Sequence, residues 1–169
     1  MQSLEIFRKH KDKIVQLWIE ATNATYPFAT PGFIKTSNDP FANPVADMTK
    51  QAALACYDAI IGEDINEENL YNEIERLVKL RSVQNFIPEK AINIFFAFRP
   101  LLQKHILPEM LAENLLMDYL LAESRIDSLT LIAFSQYVKN RETLAEIRIK
   151  EIKNKHAQLA KWAEKLNSQ

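Results

Sequence analysis

The three histidines, His10, His105 and His156, and the single cysteine, Cys56, are the residues best suited to bind a metal or attack a substrate. None of the histidines stands one helical turn from another, the spacing that puts two imidazoles on one face around zinc. Cys56 has no second thiol with which to form a disulfide or a CxxC motif. It falls on an apolar stripe, where burial raises a thiol's pKa, so it is expected to be inert. No GxSxG nucleophile elbow occurs. Gly32 and Gly62 are the only glycines, too few for a phosphate-cradling loop. The carboxylates of Glu67, Glu68, Glu73 and Glu75 fall on a solvent face. No set of residues supplies an acid, a base and an orienting group together. The expectation is a non-enzymatic protein with no catalytic residue, no metal and no cofactor.

Two charged residues stand apart from this solvated surface. Arg81 continues the apolar stripe of Leu70, Ile74, Leu77 and Val78. Asp127 heads a second stripe with Leu131, Phe134 and Val138. A charge on a buried face needs a partner, because leaving it unpaired is prohibitively costly. Arg81 and Asp127 are therefore expected to pair, directly or through water, with Gln84 taking the remaining donors. A fold-specifying pair and a ligand contact are both open at this point.

The elements that must hold these residues are helices. The chain has 169 residues, a net charge of −1, 47% hydrophobic and 25% charged residues. That is one domain's length with an ordinary globular composition. So small a net charge steers neither nucleic acid nor an anionic membrane. The N-terminus carries no apolar run of a signal peptide, and no stretch is long enough to insert into a membrane. A cytoplasmic protein is expected. Alternating β-branched runs are missing and helix formers dominate. The pattern predicts a first helix from a Ser3 cap to about Asn23. A Pro- and Phe-rich packed loop follows, with Phe41 among its anchors. Asn43 and Pro44 mark a helix start as N-cap and first helical residue. That helix carries Val45, Met48, Ala52, Cys56 and Ile60 on its buried side, and Gly62 ends it. Asn66 and Glu67 open the next helix. Pro88 opens a fourth, carrying Ile92, Phe95, Phe98 and Leu102, with a kink expected at Pro100 because an interior proline costs roughly 3 kcal/mol. A helix from Pro108 through Leu121 and a last one from about Ser124 to about Leu166 complete the set.

Beyond Val138 the composition shifts to Lys, Arg and Glu around sparse apolar positions. Ala145, Ile149, Ile152, His156, Leu159, Ala163 and Leu166 keep a four-three spacing. That is a coiled-coil seam or the inner face of an amphipathic tail helix packing on its own domain. The organisation expected is a domain over residues 1–143 and a helical extension over 144–169.

Three segments together resemble a known family. They are Asp39-Pro40-Phe41-Ala42-Asn43-Pro44-Val45, then Arg81-Ser82-Val83-Gln84-Asn85-Phe86-Ile87-Pro88 with Ala91-Ile92, and then Arg125-Ile126-Asp127 with Phe134 and Tyr137. Their order and separation resemble the N-terminal domain of RsbR-type regulators, the RsbRD group, over about residues 5–150. The resemblance implies a globin-like helical fold, usually without haem, that dimerises and carries a long terminal helix leading to an output domain. It marks Asn43, Pro44, Arg81, Gln84, Phe86, Pro88 and Asp127 as structural motif residues. In that family the output is commonly a STAS domain. The sequence ends with the helix, so the expected output partner is a separate protein and no phospho-switch is carried over. Ile87 departs from the small hydroxyl residue common before the proline, so the side-chain cap there is expected to be lost. Pro100-Leu101-Leu102-Gln103-Lys104-His105 also resembles the haem-ligating segment of vertebrate myoglobins. A haem or small apolar ligand sensor, with His105 as axial ligand, is therefore the alternative to a signalling domain that acts through protein contacts.

Overall fold

The computed structural model describes residues 2–26, 43–63, 65–84 and 86–168. Its helices run in the order α1 (Gln2–Asn23), α2 (Pro44–Ile61), α3 (Glu67–Val83), α4 (Pro88–Phe96), α5 (Phe98–His105), α6 (Leu107–Ala112) and α7 (Leu116–Asn167), and the described residues contain no strand. The all-α class and the long C-terminal helix are as the sequence led one to expect. No helix among the described residues is long and apolar enough to cross a membrane. The expectations for Asp39, Pro40, Phe41 and the rest of the segment 27–42 lie outside the described residues. The chain divides into two compact units, Met1–Tyr137 and Val138–Gln169.

In the first unit the core gathers one face of each helix. Ile14 and Trp18 of α1, Cys56 and Ile60 of α2, Leu77 and Val78 of α3, Phe95 of α4, Leu102 of α5 and Met110 of α6 are all buried. Trp18 ties three elements together. Its ring stacks on Phe98 with centroids 4.9 Å apart, and its indole Nε1–H donates to Ile94 O at 2.6 Å. The Tyr57 hydroxyl donates to Phe7 O at 2.7 Å, which fixes α2 on α1.

Local chemistry explains where the helices begin and end. Asn43 caps α2, its Oδ1 accepting from Ala46 N at 3.1 Å, and Pro44 fills the first helical position. Asn66 caps α3 in the same way, accepting from Asn69 N at 3.1 Å. Ile87 precedes α4 with no side-chain cap, as expected. Ser3 does not cap α1; it lies inside the helix and is buried.

Two boundaries differ from the sequence reading. The fourth helix does not kink at Pro100 but breaks at Ala97, so that Phe98 opens α5 and Pro100 sits in its first turn. Proline is tolerated there because first-turn N–H groups have no intrahelical acceptor. The second difference follows Pro108. That helix, α6, ends at Ala112 instead of running through Leu121, and α7 starts at Leu116 instead of near Ser124. Asn114 takes a left-handed φ of 57°. Its N–H returns to Leu111 O at 3.2 Å and the Leu115 N–H returns to Met110 O at 2.8 Å. This is the paired return of a Schellman stop, and asparagine is the residue that tolerates it best after glycine.

Gly62 ends α2 by the same device with φ 78°. Arg125 of α7 reinforces the stop, its Nη1 donating to Ile60 O at 3.1 Å. A Cβ at position 62 would lie 2.6 Å from Arg125 Nη1. Gly62→Ala is therefore expected to lose about 1–2 kcal/mol, from left-handed strain and the displaced guanidinium together. An unchanged urea midpoint would contradict this.

The second unit is the continuation of α7. Ile149, Ile152, Leu159 and Leu166 of the four-three series are 52%, 55%, 66% and 70% exposed.

Candidate functional site

The most unusual group in the first unit is Arg81. It ends the apolar stripe of α3, as its spacing predicts, and none of its surface reaches solvent. The expected pair with Asp127 does not form. Arg81 Nη2 instead donates to Lys90 O at 2.8 Å and to Thr25 Oγ1 at 3.1 Å. Its guanidinium lies over the Phe86 ring, 4.0 Å from the centroid, and 5.5 Å from that of Tyr26. Tyr26 and Phe86 meet edge to face with centroids 5.3 Å apart. The charge is thus held by two aromatic faces, a hydroxyl and a carbonyl. Among the described residues no carboxylate pairs with it.

This leaves polar capacity inside the protein. Arg81 Nε and Nη1, Tyr26 Oη, Thr22 Oγ1 and Asn23 Oδ1 are buried without a hydrogen-bond partner. Burial lowers the Arg81 pKa, yet a guanidinium starts so high that it stays charged. Burial raises the Tyr26 pKa, and the Arg81 charge draws it partly back.

Asp127 lies elsewhere. Its side chain is 56% exposed and accepts from Arg99 Nη2. The reason is a rotation of α7 by one residue from the stripe read in the sequence. Ile126, Thr130, Ala133 and Tyr137 are buried, while Leu131, Phe134 and Val138 face outward. Gln84 is also exposed and does not serve Arg81; its backbone N–H closes α3 on Leu80 O. Of the motif residues, then, Arg81 and Phe86 come together, Asn43, Pro44 and Pro88 start helices, and Gln84 and Asp127 stand apart at the surface.

The sequence reading missed Tyr26 and Thr25, which adjoin the Pro-rich segment, and the use made of Tyr137. The Tyr137 hydroxyl donates to Phe86 O at 2.8 Å. The residue stacked on Arg81 is therefore held by α7 at the last residue of the first unit.

Cys56 is buried in the core, which pushes its thiol up to about 12. At pH 8 only roughly one thiol in 10⁴ would be ionised, and reagents have no access. The native protein is expected to give no reaction with an aromatic disulfide over minutes and one equivalent after unfolding. Rapid labelling of the native protein would contradict this. His105 ends α5 and is partly exposed. Desolvation and the neighbouring cations Lys13 and Lys104 lower its pKa. Among the described residues, no group of three or more His, Cys, Asp or Glu side chains could hold a metal ion.

Comparison with known proteins identifies a family. The family described as the RsbT co-antagonist protein rsbRD N-terminal domain matches residues 12–152. No curated protein and no solved structure gives a significant match.

Proposed function

This chain belongs to the RsbT co-antagonist protein rsbRD N-terminal domain family, and on that premise we propose that it is a non-enzymatic cytoplasmic regulatory domain that acts through protein contacts. The observation that carries the reading is the extent of the family match, which takes in the packed helices and runs into the terminal helix. The architecture we assign is globin-like, and the working form a homodimer. Its signal is a shift between two packings of the helices, read by an output protein at the terminal helix.

Two features support this. The apolar series on the second unit is exposed in the single chain, and soluble proteins tend to cover such strips with a partner. In the first unit, α7 presents Leu131 at 66% and Phe134 at 48% exposure, a further apolar surface that a second protein can cover.

The test is affinity capture from the native cell with the wild-type chain and with Ile149→Asp/Ile152→Asp as bait. The wild type is expected to retain a stoichiometric regulatory protein that the variant loses. Identical recovery by both baits, or turnover of a metabolite by the purified chain, would overturn the reading.

A further inference from the structure

We propose that the buried cluster around Arg81 is a receptor for a small oxyanion, a carboxylate or a phosphate, and that its occupancy is passed to α7 through Phe86 and Tyr137. This rests on the regulatory reading above and names the class of ligand that the domain senses.

Arg81 is fully buried, and its Nε and Nη1 have no partner. A planar guanidinium with free N–H groups is shaped to hold two oxygens of a carboxylate or phosphate side by side. Tyr26, 8% exposed, brings to the same cluster a hydroxyl that lies beside the guanidinium without a well-formed hydrogen bond to it. The aromatic faces of Phe86 and Tyr26 exclude water, so an ion pair formed there is little weakened by solvent. A role in stability alone does not account for this composition. A buried arginine kept for the fold would be expected to have its donors satisfied within the protein.

A cleft of about 440 Å³ opens between the end of α1 and α4, lined by Ala24, Thr25, Lys90 and Asn93 among others. Thr25 and Lys90 are the two residues that Arg81 Nη2 bonds, so the cleft reaches the groups that hold the guanidinium. The exposed Lys90 side chain adds positive charge on its lining, which favours entry of an anion.

Transmission follows from the contacts already described. An oxyanion bound to Nε and Nη1 must share the guanidinium with the Phe86 ring, 4.0 Å away. Moving Phe86 lengthens or breaks the Tyr137 hydroxyl bond to its carbonyl. The change is therefore delivered to α7 at the residue where the first unit ends.

The test uses the full chain in buffers of matched ionic strength, with inorganic phosphate and acetate as probes and chloride as the reference. Thermal unfolding is expected to rise saturably with phosphate or acetate beyond chloride, and which of them acts tells a phosphoryl from a carboxylate ligand. The rise is expected to vanish in Arg81→Met. Tyr26→Phe keeps the ring and the fold and is expected to weaken binding about tenfold, the worth of one charge-assisted hydrogen bond. If neither anion stabilises the wild type more than it stabilises Arg81→Met, the proposal is wrong. It is equally wrong if Asp39→Asn destabilises the anion-free protein as much as Arg81→Ala does, since a carboxylate of the chain would then be the partner of Arg81. Either failure leaves the capture of a protein partner standing, so the two readings are tested apart.

Discussion

In buffer free of phosphate and carboxylates, Arg81→Ala is expected to lose about 2–4 kcal/mol of stability while Arg81→Met loses almost none. The alanine removes a fully buried side chain and opens a void beside the Tyr26 and Phe86 rings. It also forfeits two cation–π contacts, each worth about 1–2 kcal/mol where water is excluded. The methionine fills nearly the same volume and lays a polarisable sulfur against the same rings. It carries no charge to desolvate and no N–H groups to leave unpaired. Replacing a buried charge by an apolar residue of similar size is often neutral, or stabilising by roughly 1–4 kcal/mol. Chemical denaturation of the three proteins decides the matter. Methionine as damaging as alanine would mean that the positive charge is itself indispensable to the fold.

The second large effect is expected in association. Wild-type protein at tens of micromolar should sediment as a dimer, and Ile149→Asp/Ile152→Asp as a monomer. Both residues belong to the four-three series of the second unit and are about half exposed in the single chain. In a symmetric dimer each position occurs twice, so the double variant sets four carboxylates into an apolar seam. Desolvating them, or holding them apart, costs several kcal/mol, a loss of roughly 10³-fold or more in association. His156→Leu, which replaces the one polar residue of the series, is expected to tighten the dimer. A monomeric wild type would remove the seam as an interface. A dimer unchanged by the two aspartates would move the interface to another surface.

Where the sequence was legible, one residue type dominated a local choice. Asn43 with Pro44, Asn66 and Gly62 each mark a helix end with a side chain or a backbone freedom that few other residues supply, and each boundary was read correctly. Arg81 was legible as buried because α3 is apolar on one face only. The same reasoning failed on α7, which is apolar on two adjacent faces. Ile126, Thr130, Ala133 and Tyr137 form one face, and Asp127, Leu131, Phe134 and Val138 the next, a single residue away. Counting hydrophobic residues favours the second face, since it holds the larger ones. Packing chose the first, on which the small side chains of Ala122 and Ala133 are fully buried. With that rotation Asp127 turned outward, and the pair assigned to Arg81 went with it. The helix stop at Asn114 was missed for a related reason. Asparagine is a weaker stop signal than glycine, and the apolar residues on either side continue the helical pattern across it. The hydroxyl and carbonyl that hold Arg81 were beyond reach, because contacts between Thr25, Lys90 and Arg81 depend on how α1, α3 and α4 meet and leave no local trace.

The placement of the two tryptophans gives the chain a built-in optical readout. Trp18 is sealed in the first unit, and Trp162 lies on the second at 72% exposure. An indole walled off by Phe95 and Phe98 emits to the blue and is shielded from acrylamide, whereas one in water emits to the red and is quenched freely. The emission of the native protein is thus a sum of two separable colours, one from each unit. Quenching silences Trp162 and leaves Trp18 to report melting of the core. Trp18→Phe leaves Trp162 to report whatever covers the terminal helix. Folding and partner binding can be followed without a label, in one cuvette, from two residues already present.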